Sequence, residues 1–323
     1  MLSRVAENLY WMTRYLERAE NTARLINSTT QVLLDLPKGA SFGWDVLIRV
    51  AGLDELMRER DSRMDEASIM RFLIQDDKNP GSLISTIRYA RENSRTFREV
   101  LPMEIWERIN GMYLFMRDHA IRATQSRSQR YEILNSVIER RQSVIGLLAG
   151  SMSEDVAYQF LKLGRNIERA DMTTRIVDVN SAVLLPEDSA VAGPALGRLW
   201  MATLTALSAY EMYRRHVGVH VSGREVVNFL LKDPHFPRSV SHCLAEIESS
   251  LSVLPKHTQP MRAARQAWRR LSYMRLADLA PVVLHEYLDQ IQADLGAIHE
   301  AISQEYFYLY QPSTASQSQS AAE

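Results

Sequence analysis

Apolar residues recur at three- and four-residue steps along almost the whole chain, and no sustained run alternates with period two. That pattern predicts an all-α fold. Val5, Leu9, Met12, Leu16, Ala23 and Ile26 fall on one side of a first long helix, which Pro37-Lys38-Gly39 is expected to end. The same spacing predicts helices over about 44–60, 65–75, 80–101, 103–123 and 128–150. A second series is predicted over about 153–185, 194–217, 222–232, 237–254, 258–279 and 281–309. Asn79-Pro80 and Phe236-Pro237 read as helix starts, because proline fits the first turn, where its missing N–H is no loss. From Pro312 to Glu323 the chain is polar and aperiodic and reads as a disordered tail.

The two series resemble each other. Residues 5–26 align without gaps on residues 156–177, with eight of 22 positions identical, where average composition predicts about one or two. Trp44 then matches Trp200, and Phe72-Leu-Ile-Gln-Asp-Asp-Lys-Asn-Pro-Gly-Ser matches Phe229-Leu-Leu-Lys-Asp-Pro-His-Phe-Pro-Arg-Ser. Glu132-Ile-Leu-Asn-Ser-Val more weakly matches Glu286-Tyr-Leu-Asp-Gln-Ile. The order is kept, with offsets of 151, 156, 157 and 154. Duplication of a whole unit is therefore expected: one helical repeat over 1–150, a second over 151–311, related by a pseudo-twofold and joined in one bundle-like body.

Both repeats carry Arg-x-x-Glu-Arg-Ala-(Glu/Asp)-x-x-x-Arg. In the first it is Arg14, Glu17, Arg18, Glu20 and Arg24; in the second, Arg165, Glu168, Arg169, Asp171 and Arg175. Adjacent helical residues point about 100° apart, so Glu17 cannot pair with Arg18 on its own helix. Glu17, Glu20 and Arg24 share a stripe, and Glu20 to Arg24 has the favourable i,i+4 order. Arg14 and Arg18 point elsewhere, and Trp11 and Leu25 flank Arg18 at seven-residue steps. A helix apolar on more than one side meets several neighbours. Charges on it need partners, which a matching stripe on a related helix would supply. Three readings stand: an ion-pair network that fixes how the halves dock, a polar cleft for a substrate bearing carboxylate or amine groups, and a solvated face.

The duplicated Glu-Arg helix and the Phe-Leu-x-x-Asp-x-x-x-Pro-x-Ser segment together resemble the bacterial alpha-E family of helical domains, over essentially residues 1–310. The resemblance implies that Glu17-Arg18 and Glu168-Arg169 are the family's Glu-Arg motif. It also implies partners: members are typically encoded beside, or fused to, a circularly permuted ATP-grasp ligase-like protein and often a transglutaminase-like protein. A part in forming or modifying a peptide or amide bond follows from that setting. The leading expectation is a helical accessory protein that docks the ligase or presents its substrate. The alternatives are an enzyme using Glu17 and Glu168 as acid or base in a cleft between the repeats, and a purely structural module that forms homodimers.

Other candidate chemistry is sparse. Arg88, Arg91, Arg95 and Arg98 lie within about 80° of one helix face and offer an anion-binding stripe. Against this, Glu92 and Glu99 can pair at i,i+4 with Arg88 and Arg95. Arg262, Arg265 and Arg269 form a shorter basic stripe. His216 and His220 have metal-ligand spacing, but Gly218 lies between them and no Glu follows His216. Glu-x-x-His is absent, so no metal is expected, and His285-Glu286 and His299-Glu300, two heptads apart, read as coincidence or surface. No phosphate-binding glycine loop or nucleophile elbow occurs, so no cofactor is expected, and ATP would be bound by another protein. Cys243 is the only cysteine; it reads as a buried small hydrophobe and excludes an internal disulfide. A net charge of −1 gives no global pull toward nucleic acid or an anionic membrane, so any anion site must come from local clustering. Arg4 and Glu7 stand where a signal peptide is apolar, and no charge-free stretch approaches ~18 apolar residues, so a cytoplasmic protein is expected.

Overall fold

The first helix, α1 (Ser3–Asp35), buries its predicted apolar stripe from Val5 to Ile26 and most of its other faces as well. It holds Thr13, Glu17, Glu20, Asn21 and Thr22 out of water too. A helix buried all round must sit at the centre of the fold, and its polar groups must find partners there. The computed structural model describes residues 3–35, 43–60, 63–184, 194–274 and 281–307. Among them are fourteen α-helices and no strand.

After α1 come α2 (Asp45–Ala51), α3 (Asp54–Glu59) and α4 (Glu66–Met70), the last prolonged by a π turn over Arg71–Gln75. Then follow α5 (Leu83–Thr96), α6 (Met103–Gln125) and α7 (Arg127–Ser151). The second series is α8 (Val156–Leu184), α9 (Pro194–Ala206), α10 (Tyr210–His216), α11 (Gly223–Lys232), α12 (Val240–Ser252), α13 (Thr258–Tyr273) and α14 (Pro281–Ile302). A π turn over Ser303–Phe307 prolongs α14.

Packing closes two rings. α1, α5, α6 and α7 each pack on the next, and α7 returns to α1. In the same way α8, α12, α13 and α14 close a second ring. The rings share the α1–α8 contact, the most extensive between any two of these helices. Each is a four-helix arrangement whose core is the inward stripe of four amphipathic helices. One apolar core runs through both, from Leu9, Met12 and Leu16 to Ile167, Leu244 and Leu288. At the α1–α8 crossing Thr13 Oγ1 donates to the Leu161 carbonyl oxygen at 2.9 Å. Gly164 faces the Tyr10 carbonyl there, and a Cβ in its place would fall inside contact distance of that oxygen. Glycine is required because two backbones approach too closely for any side chain.

The matching segments before α5 and α12 use the same local devices. Asp76 Oδ1 accepts from the Lys78 N–H (3.0 Å) and Asp233 Oδ1 from the His235 N–H (2.9 Å). Ser82 and Ser239 then cap the helices, accepting from the Ser85 and His242 N–H groups at 3.2 and 3.1 Å. These serines, not Pro80 and Pro237, mark the helix starts. Their hydroxyls satisfy an orphan N–H, which proline can only do without. The predicted helix 44–60 is broken at Gly52, whose φ of 66° terminates α2. The predicted helix 194–217 breaks at Ser208, at φ 54°. The span 80–101 stops at Thr96, because Phe97 leaves the helical conformation at φ −132° and ψ 49°. The span 258–279 ends early, at Tyr273, because Met274 turns to an extended conformation. The end of the span 281–309, the stop at Pro37-Lys38-Gly39 and the tail 312–323 lie outside the described residues.

The α1–α8 crossing yields a paired prediction. Gly164→Ala should lower the unfolding free energy by at least about 2 kcal/mol, because overpacking against backbone cannot be relieved by a rotamer change. Gly146→Ala, on an exposed face of α7 with open space at Cβ, should instead raise it by about 0.5 kcal/mol. Urea unfolding of both variants checks this; equal effects would show that the helices are not in backbone contact.

Candidate functional site

The Glu-Arg motifs meet in the α1–α8 interface and exchange partners. Glu168 of α8 receives Arg18 through two bonds, Nε to Oε1 at 2.6 Å and Nη2 to Oε2 at 3.0 Å, and Arg14 Nε at 2.8 Å. Glu17 of α1 receives Arg169 Nε at 3.0 Å. On each helix the arginine next to the glutamate therefore serves the opposite helix, as the 100° step requires. Within each helix the i,i+4 pairs close as well: Arg24 to Glu20 at 2.7 Å, and Arg175 to Asp171 at 3.0 Å.

The two halves differ around Glu17. Under the 151-residue offset, Arg14–Glu168 would be matched by Arg165–Glu17. That pair does not form. Arg141 of α7 and Arg238, which precedes α12, take Glu17 instead. Arg141 also reaches Glu20 at 2.6 Å, and Arg238 reaches Glu17 Oε1 at 2.7 Å, Glu20 Oε1 at 2.9 Å and Asn21 Oδ1 at 2.7 Å. Arg238 is positioned by the Asp233 turn and the Ser239 cap, and its carbonyl accepts from Thr173 Oγ1 at 2.8 Å. Among the described residues Arg165 forms no ion pair, and its buried Nε has no hydrogen-bond partner. Spacing on one helix cannot reveal Arg141 or Arg238, which arrive from elsewhere in the chain. One signal was in view: the aligned segments place Gly81 opposite Arg238.

Electrostatics follow from the closure. Glu17 is 0% exposed and Glu168 1%. Burial pushes the Glu17 carboxyl up, but Arg141, Arg169 and Arg238 together outweigh it and hold it well below the usual carboxylate range. Burial opposes ionisation of Glu168 as well, and Arg18 and Arg14 reverse it; at Glu20, Arg141 and Arg238 do so. Burial lowers Arg141 to about 10 despite Glu17 and Glu20, which leaves it charged at neutral pH. Cys243 is buried beside this cluster, and burial pushes its thiol up to about 12, so it is inert as a nucleophile. An aromatic wall closes the Arg14 end. Arg14 lies over Trp11 at 5.0 Å, and Tyr10 Oη meets His299 Nδ1 at 2.8 Å. His299 is thus half-buried rather than on the surface, with its pKa lowered to about 4 by burial and Arg14.

The other sequence candidates lie apart from this cluster. On α5, Arg91 bonds Asn110 Oδ1 at 2.7 Å and Glu92 at 2.5 Å, and stacks over Trp106 and Tyr113 of α6. Arg98 covers Trp106, Arg88 covers Tyr89, and Arg95 pairs with Glu92 at 3.3 Å. Glu92 thus serves Arg91 and Arg95 rather than Arg88, and Glu99 lies beyond the end of α5, so the expected i,i+4 pairs do not form. His216 ends α10, and the His220 carbonyl accepts from Tyr213 Oη at 3.1 Å. His285 places Nδ1 2.7 Å from Asp178 and Nε2 3.6 Å from Asp289. Donating a hydrogen bond to Asp178 raises the His285 pKa, which favours an ion pair over a metal ligand.

The family model for Alpha-E, described as a predicted alpha-helical domain with a conserved ER motif, matches residues 1–307. Among curated proteins, an uncharacterized protein of Mycobacterium bovis and two of Mycobacterium tuberculosis are each 25% identical over 317 residues. The match covers 90% of this chain and 34% of each relative, so the chain spans about a third of their length. No solved structure matches.

Two predictions test the cluster. Glu17→Gln leaves three arginines around a neutral amide and should destabilise the fold by about 3–5 kcal/mol. Chemical unfolding measures it; a fully stable variant that loses only activity would mark Glu17 as catalytic. The carboxyls of Glu17, Glu20 and Glu168 are depressed in the folded chain, so the unfolded chain binds more protons in acid. Their stabilisation is complete above the ordinary glutamate value of 4.5 and is lost as pH falls through the depressed values. Melting temperatures at pH 7 and pH 3 should differ accordingly, and by less in Glu168→Gln.

Proposed function

The chain belongs to the Alpha-E family, and from that premise we propose that it is a helical accessory protein in a system that forms or modifies a peptide or amide bond. In this reading it docks an ATP-grasp ligase-like protein or presents that enzyme's substrate. One observation carries the scaffolding part: both motif glutamates are buried and held ionised by arginines. A carboxylate kept below its usual range, without access to solvent, is poorly placed to take a proton from a substrate at neutral pH. The Glu-Arg motif therefore acts as the clamp between helix rings, and it disfavours the reading in which Glu17 and Glu168 are acid and base. The relatives support a module that works with other parts, since two-thirds of their length lies outside the match. A ligase-like and a transglutaminase-like partner follow from the family resemblance, and a cytoplasmic site of action accords with them. Among the described residues no helix is long and apolar enough to cross a membrane.

Co-purification of the full chain with the ATP-grasp ligase-like protein encoded beside it tests the proposal. The expected result is a complex stable at micromolar concentration. Absence of binding at that concentration would remove the ligase reading and leave the structural module that forms homodimers.

A further inference from the structure

An open groove of about 750 Å³ lies along α12 and α13, away from the Glu-Arg cluster. Arg262, Arg265 and Arg269 line it together with Trp268, His257 and Glu248. Their spacing puts the three guanidinium-bearing positions within about 60° of one face of α13 and along about 10 Å of its length. All three are exposed, and none forms an ion pair among the described residues. Their neighbour Arg270 is engaged, bonding Asp294 of α14 at 2.6 Å. In a chain of net charge −1, three unpaired cations on one helical face are a local surplus that repels itself until an anion arrives. Trp268 is 37% exposed beside them, and arginine with tryptophan is the composition of interface centres.

The wall of the groove selects among anions. One carboxylate oxygen of Glu248 is buried and accepts no hydrogen bond. The half-buried Glu248 carboxylate lines the groove, so its negative charge repels a compact polyanion such as a phosphate chain, while its unburied oxygen can accept from N–H donors. A peptide brings both groups, with side-chain carboxylates for the arginines and N–H groups for Glu248. We infer that this groove is a docking site for an acidic segment of a protein partner, with about three carboxylates spread over about 10 Å. The inference rests on the proposed docking role and names the surface that performs it. An acidic helix with carboxylates at i, i+3 or i+4, and i+7 matches the arginine spacing along α13.

The test titrates the full chain into fluorescein-labelled hexaglutamate at low salt and follows anisotropy. Saturable binding is expected, weakened by added salt and at least tenfold weaker in Arg265→Glu/Arg269→Glu. Arg88→Glu/Arg95→Glu, on α5, should bind as the natural chain does. Circular dichroism checks folding, and if the charge reversals fail to fold, Arg265→Gln/Arg269→Gln replaces them with the same expected loss. Equal binding by the natural chain and the groove variant would overturn the inference, as would no binding by either. Tripolyphosphate binding tighter than hexaglutamate would overturn it too, since the site would then read charge density. The docking role is judged separately. Capture of the ligase-like protein equally by the natural chain and by the groove variant removes the groove and keeps that role. Hexaglutamate binding without ligase capture keeps the groove and removes the ligase.

Discussion

Ions taken out of water must be neutralised where they come to rest, and the centre of this fold is built around that constraint. α1 and α8 are the most enclosed helices, yet they carry glutamates and arginines on their contact faces. Breaking such a buried pair costs several kcal/mol, because the remaining charge stays uncompensated. The apolar stripes of the other helices can be satisfied by many packings. The charges admit few, because each carboxylate needs donors at hydrogen-bond distance from more than one direction. In this sense the ionic cluster specifies the register of the α1–α8 contact, and the rings of helices are arranged around it.

The cluster is not even-handed. Glu168 is held by two arginines of the opposite helix, whereas Glu17 and Glu20 together draw on Arg24, Arg141, Arg169 and Arg238. Arg141 ties α7 to α1, and Arg238 ties the start of α12 to α1. Arg141 thus helps close the first ring on itself, and Arg238 gives one route from the first ring into the second besides the shared helix pair. The displaced Arg165 records the cost of this reinforcement, a guanidinium whose expected carboxylate is taken. In the same place the carboxylates are sealed from solvent, and the neighbouring thiol is held protonated.

Much of the architecture was legible in the sequence because helical periodicity is a local signal. The stripe from Val5 to Ile26 is buried as read, and the all-α class holds for the described residues. Helix ends were less legible. Gly52 and Ser208 interrupt periodic stretches through backbone conformation, which an apolar pattern does not record, and Ser82 and Ser239 outcompete nearby prolines as starts. At the site, the 100° step showed that Glu17 could not pair with Arg18, and the partner helix could be named from the similarity of residues 5–26 and 156–177. Arg141 and Arg238 were beyond reach, because a residue 124 or 221 positions away is joined to Glu17 only by the tertiary fold. The arginine stripe of α5 was visible as charge, but its aromatic covers on α6 were not.

That the Glu-Arg motifs act as a reciprocal clamp, rather than as two separate surface features, is open to a direct energetic measurement. A double-mutant cycle on Arg18 and Glu168, using Arg18→Met and Glu168→Gln in urea unfolding, isolates their coupling. A clamp requires a coupling energy above about 1 kcal/mol, with the double variant less destabilised than the sum of the singles. Strict additivity would contradict it, since residues that do not hold each other across the α1–α8 contact leave independent effects.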